Sequence, residues 1–224
     1  MNSVAPASQS RPFRVPLLIL LASLFVTLLF FVIPRAHYLT DFSLTSYSTY
    51  FWPHRRFGLL FHLTGGLIAI TTGLVQIWLG LTHRTGTLHR TVGKFYACGV
   101  AVGSIGGFYL GFTSPSPFAY KAGLISLNVA WLITTGMALY AISTKRIEQH
   151  REWMLRSYVV TFSFVIFRLS TVLLGILLFG RDPAPGTPEY SELATTMAWA
   201  AWAIPLVLAE PLIQLRAMRR LALR

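Results

Sequence analysis

Apolar residues run along this chain in six long blocks, 15–33, 57–81, 91–112, 119–142, 157–179 and 193–215, separated by shorter polar interruptions. At about 1.5 Å of rise per residue, each block is long enough to cross a hydrocarbon core of about 30 Å. The pattern predicts an all-α, polytopic transmembrane helical bundle of six helices. Within the second block, His62, Gly66, Ala69, Gly73, Gln76 and Gly80 recur at spacings that fall on one helix face. In lipid, a stripe of small and polar residues turns towards neighbouring helices. In the third block, Gly99, Gly103, Gly107 and Gly111 recur every fourth residue, preceded by Gly93 and Tyr96. Along such a ridge, another helix or a flat cofactor can approach the backbone closely. The connection between these two blocks is short, which makes them antiparallel neighbours. Thr85 or Thr87 is placed to cap the second of them, with His89 near its start.

Composition fixes the environment. With 224 residues, 54% hydrophobic and 12% charged, and a mean hydropathy of +0.59, the chain has too little polar surface for a water-soluble globule. The longest interruptions, about 35–56 and 180–192, leave no room for a soluble domain. The first block is longer than the apolar core of a signal peptide and lacks a small-residue cleavage site, so 15–36 reads as a retained helix. The tail 1–14 is polar and 216–224 is basic.

The net charge of +12 changes meaning once its distribution is read. Thirteen Lys and Arg residues fall on one side of the alternating segments, at Arg11 and Arg14, around 84–94, around 145–156 and in the tail. Five fall on the other side, at Arg35, Arg55, Arg56, Lys121 and Arg181. The positive-inside rule puts both termini in the cytoplasm, in a cell (inner) membrane. Such a basic tail meets anionic lipid and needs no nucleic acid. The single cysteine, Cys98, excludes an intramolecular disulfide. Tyr38, Tyr47, Tyr50, Phe51 and Trp52 suit a membrane boundary, and His37 and His54 read as interfacial bystanders.

Polar residues inside the apolar blocks are the candidate chemistry, because ionisable groups there are costly and are functional by default. They are His62, Gln76, Asn128, Arg168 and Glu210, with Trp131, Thr134 and Thr135 beside Asn128. His62 reads either as a hydrogen-bonded packing residue or as a haem ligand or proton carrier. Asn128 is expected to make an interhelical hydrogen bond. Arg168 lies near the middle of the fifth block and must face the bundle interior. Glu210 is the sole acid within an apolar block, yet it is displaced from Arg168 by roughly 10 Å along the axis. Helix carbonyls, a tyrosine or Asn128, a cofactor carboxylate or an anionic ligand are the other partners open to Arg168. The charged stretch 144–157 reads as a cytoplasmic turn and brings His150 to the depth of His89. No nucleophile triad, phosphate-binding loop or CxxC pair is present, so no catalytic residue is assigned.

Four linked patterns, H-x3-G-x6-G-x2-Q at 62–76, HR-x2-G-x2-Y at 89–96, H-x2-WM-x-RS at 150–157 and the later Arg168, resemble the multi-pass membrane family catalogued as domain of unknown function 2306. The resemblance covers about 57–179 and implies a four-helix core there, with 15–36 and 193–215 outside the match. It carries over His62, Gly66, Gly73, Gln76, His89, Arg90, Gly93, Tyr96, His150, Trp153, Met154, Arg156 and Arg168, and it implies no established activity. Two function classes remain. In one, a four-helix core similar to transmembrane diheme b-type cytochromes holds haem b for electron transfer, with His89 and His150 as ligands. His62 has no histidine partner on the outer half of the third to fifth blocks, so at most one bis-histidine haem is expected, unless His37 or His54 folds inward, and haem iron is the only metal expected. In the other class, a transporter or structural membrane protein uses His62, Gln76, Asn128 and Arg168 as a polar network. The lipid bilayer is the one partner the residues specify.

Overall fold

The fold is seen in a computed structural model, which describes residues 54–82, 84–184 and 186–222 and isolated positions between 18 and 33. The first apolar block, His37 and the aromatic loop after it lie largely outside the described residues. The described chain forms five helices: α1 (Arg56–Leu81), α2 (Thr87–Phe112), α3 (Phe118–Ser143), α4 (Ile147–Phe179) and α5 (Pro188–Ala222). Each is long and apolar enough to cross a membrane. The described residues contain no strand.

Local chemistry sets the helix ends. α1 stops at Thr82, whose amide bonds back to Trp78 O, and α2 begins directly after Gly86 with no side-chain cap. The threonine cap expected here is therefore not made: Thr87 is already the first helical residue. α4 starts ten residues earlier than the apolar pattern indicates, so most of the charged stretch is helix rather than turn. Its first turn carries Glu148, favourable at a helix N-terminus, and Arg151 bonds Glu148 at 3.1 Å. The turn proper is confined to Thr144, Lys145 and Arg146, with Lys145 at φ 59°. α4 ends on Gly180 in the left-handed region, φ 69°, where glycine carries no Cβ penalty. α5 runs through Pro205 and Pro211, each of which removes one backbone donor from the helix.

α1 and α2 form the closest pair, backbone against backbone. A Cβ on Gly65 would strike the amide and Cα of Gly103, and one on Gly106 would strike the backbone of Gly58 and His62. Gly66 and Gly80, by contrast, face nothing within 4 Å. The contact face is thus Gly58, His62, Gly65, Ala69, Gly73 and Gln76, because consecutive helical residues point about 100° apart and Gly65 takes the position expected of Gly66. The α2 glycines are likewise occupied. A Cβ on Gly99 would lie 2.8 Å from Ala69 N and one on Gly103 3.1 Å from the Trp131 ring; Gly107 is covered by Asn128, and a Cβ on Gly111 would lie 3.0 Å from Ile125. The ridge packs helices and leaves no space for a flat cofactor.

α3 packs on α2 and on α4, while α1 and α4 meet only sparsely and α2 and α4 stand diagonally across the ring of four. α5 packs along α4 and α3: Ala194, Met197, Ala198 and Ala201 close around Phe167. The main core gathers Ala69, Leu74, Tyr96, Val100, Trp131, Tyr158 and Val160.

Candidate functional site

The polar residues of the interior form three levels along the bundle. At the basic end, His89 lies in the first turn of α2 and His150 in the first turn of α4. His150 Nδ1 is 2.8 Å from Ala138 O of α3. A carbonyl can only accept, so Nδ1 carries the proton, and in the neutral ring Nε2 is the free lone pair. His89 Nδ1 is buried with no hydrogen-bond partner among the described residues, and its ring is within electrostatic reach of His150. Gln76 of α1 donates to the His89 carbonyl and lies over Gly93, where a Cβ would come within 2.9 Å of its amide.

The middle level is a closed network. Tyr96 OH lies 2.6 Å from Ser157 Oγ and 2.7 Å from Thr161 Oγ1. Trp131 Nε1 donates to Thr161 Oγ1 at 2.8 Å, and Thr135 Oγ1 is 2.7 Å from Ser157 Oγ. All five side chains are buried. Tyr96, Trp131 and Thr135 were visible as polar marks in apolar blocks. Ser157 and Thr161 were missed, although they follow His150 by seven and eleven residues and therefore share its helix face.

The third level, in the opposite half, holds His62, whose Nδ1 donates to Gly103 O at 3.1 Å, and Arg168, whose charge reaches the His62 ring. Asn128 corrects its expectation: its amide bonds Leu124 O of its own helix at 2.9 Å and its side chain fills the space over Gly107, so it packs α3 on α2 and, among the described residues, makes no interhelical hydrogen bond. For Glu210 the sequence left the partner open. Arg156, not Arg168, grips it, with Nε 2.9 Å from Oε2 and Nη2 2.7 Å from Oε1. Gln214 donates to Oε1 at 2.6 Å, and the Trp153 ring lies 4.9 Å from the guanidinium carbon. The axial offset that argued against an Arg168 pair places Arg156 near the level of Glu210. Two shallow hollows, about 370 and 230 Å³, open along α5 and touch no histidine.

Five apolar helices enclosing polar side chains that satisfy one another define an all-helical, multi-pass membrane protein. The chain belongs to the family described as "Predicted membrane protein (DUF2306)", whose model matches residues 59–213. That match takes in most of α5, so the sixth apolar block lies inside the family region and not outside it. No curated protein and no solved structure matches the chain.

Proposed function

We propose that this protein is a membrane-embedded electron-transfer protein that holds one b-type haem between His89 and His150. The observation that carries the reading is the orientation of His150: its Nδ1–H is engaged by the Ala138 carbonyl, which frees Nε2. Metal-binding histidines are oriented in this way, with the second nitrogen fixed by a carbonyl or carboxylate. The donor set fits. His89 and His150 come from diagonal helices at one end of a four-helix ring, where cofactors of helical bundles are held by inward-facing side chains. The buried Nδ1 of His89 marks a ring whose hydrogen-bonding capacity is not met among the described residues. Gln76 ties the first turn of α2 to α1 through the His89 carbonyl. Haem, when bound, supplies one-electron chemistry. We further place the basic end in the cytoplasm, on the asymmetry of Lys and Arg along the chain.

The test is an absorption spectrum of protein purified from cells supplied with haem, oxidised and then reduced. A b-type spectrum lost in both His89→Ala and His150→Ala is expected, and a wild-type protein without one sinks the reading. A second reading, a non-redox membrane protein built around polar packing, draws on the middle level. Tyr96, Trp131, Thr135, Ser157 and Thr161 satisfy one another and need no ligand.

A further inference from the structure

Arg168 is a cation without a counter-charge. Among the described residues it makes no hydrogen bond and no ion pair; the Phe167 ring lies 5.4 Å from the guanidinium carbon, and its charge reaches the His62 ring. The acids among the described residues lie elsewhere. Glu210 is held by Arg156, Glu148 by Arg151, and Glu189 lies 4.0 Å from Arg181. Glu152, Asp182 and Glu192 lie near helix ends, and Asp41 falls outside the described residues.

Helix register locates the guanidinium. Arg168 follows Thr161 by seven residues, which is the same face of α4 about 10 Å further along. Thr161 faces Tyr96 and Trp131 in the interior, so Arg168 rises from the inward face. The antiparallel α1 supplies the level. Tyr158 packs against Gly73 and its hydroxyl reaches Ile70 O at 3.5 Å. Ten residues outward along α4 therefore correspond to about the 60–63 turn of α1, which contains His62. His62 uses Nδ1 on Gly103 O, leaving Nε2 for another partner. This register brings the two residues to one level beside the seam between α1 and α4, where, among the described residues, neighbouring helices of the ring touch least.

We infer that Arg168 and His62 form a binding site for an oxyanion, reached laterally through the α1–α4 seam in the half of the bundle opposite the paired histidines. A guanidinium presents a planar fork that matches carboxylate or phosphate oxygens, and the imidazole Nε2 beside it donates to an oxyanion when the ring is protonated and accepts from a protonated ligand oxygen when the ring is neutral. An intramembrane arginine left without such a partner would be costly. The oxyanion can arrive as a lipid headgroup or as a free anion. This inference does not depend on haem.

The experiment measures thermal unfolding of the full-length protein, delipidated in a neutral detergent and followed by tryptophan fluorescence. One series is titrated with sodium phosphate, one with phosphatidylglycerol in mixed micelles, and one with phosphatidylcholine as the uncharged control. A rise of several degrees with phosphate assigns a free anion; a rise with phosphatidylglycerol but not phosphate assigns a lipid headgroup. Either rise should vanish in Arg168→Gln and shrink in His62→Asn. Arg168→Lys, which keeps the charge but loses the fork, should need at least fivefold more ligand and covers the case in which the glutamine variant does not fold. No rise in the wild type, or an equal rise in Arg168→Gln, overturns the site. So does a double-mutant cycle in which Asp41→Asn and Arg168→Gln are coupled, because Asp41 would then be the missing partner.

Discussion

Arg156 and Glu210 are joined by two charge-assisted hydrogen bonds, and the side chains differ sharply in exposure, 11% for the arginine and 41% for the glutamate. Removing the carboxylate strands the more buried member, so Glu210→Gln should lower stability by about 1–3 kcal/mol. A double-mutant cycle with Arg156→Gln should recover coupling of about 1–2 kcal/mol, whereas a cycle between Glu210 and Arg168 should give none. Unfolding midpoints in detergent check both. Tyr96→Phe is expected to cost less, about 1 kcal/mol, because Ser157 and Thr161 keep Thr135 and Trp131 as partners. At this scale the sequence displayed the charged and aromatic members of the site, which stand out against apolar neighbours. It did not display Ser157 and Thr161, because serine and threonine commonly satisfy themselves on their own helix carbonyls and carry no mark of a network. Partner choice was also hidden: Glu210 had more than one arginine within reach, and only the relative depth of α4 and α5 decides between them.

The contact between α1 and α2 distinguishes adjacent glycines. Gly65→Ala would push a methyl into the backbone of Gly103, while Gly66→Ala meets open space. The first should cost about 1–3 kcal/mol or more, as overpacking does where only backbone can yield. The second should stay within about 0.5 kcal/mol of the parent, as substitutions away from packed features do. Comparing the yield of folded protein and the unfolding midpoint of the two variants tests the register directly. The existence of each described helix was legible from uninterrupted apolar length alone. The start of α4 was not, because a hydropathy pattern reports burial in lipid, whereas Glu148, Arg151 and His150 form helix beyond the apolar stretch, held by local ion pairing and by the carbonyl of Ala138. The exact stripe on α1 was also beyond spacing arguments, since residues 65 and 66 both fit a small-residue period and only the position of α2 chooses between them.

For the molecule as a whole, orientation is set by where its cations collect. Single cysteines placed at Glu148 and at Ala184, in a background lacking the exposed native Cys98, should label from opposite sides of intact cells, with Glu148 protected from an impermeant reagent. The reverse pattern would mean that the basic end faces outward. The family region covers the four-helix ring together with most of α5, in keeping with the packing of α5 along α4 and α3. The glycine contact between α1 and α2 also bears on the order of assembly. These two helices are consecutive, joined by a few residues, and make the closest contact in the bundle without help from any later segment. As the chain leaves the ribosome, they can lock together as a finished hairpin before α3 has been synthesised. α3 and α4 would then dock onto a pair already committed and α5 onto them, which makes the α1–α4 seam the last joint of the ring of four to close.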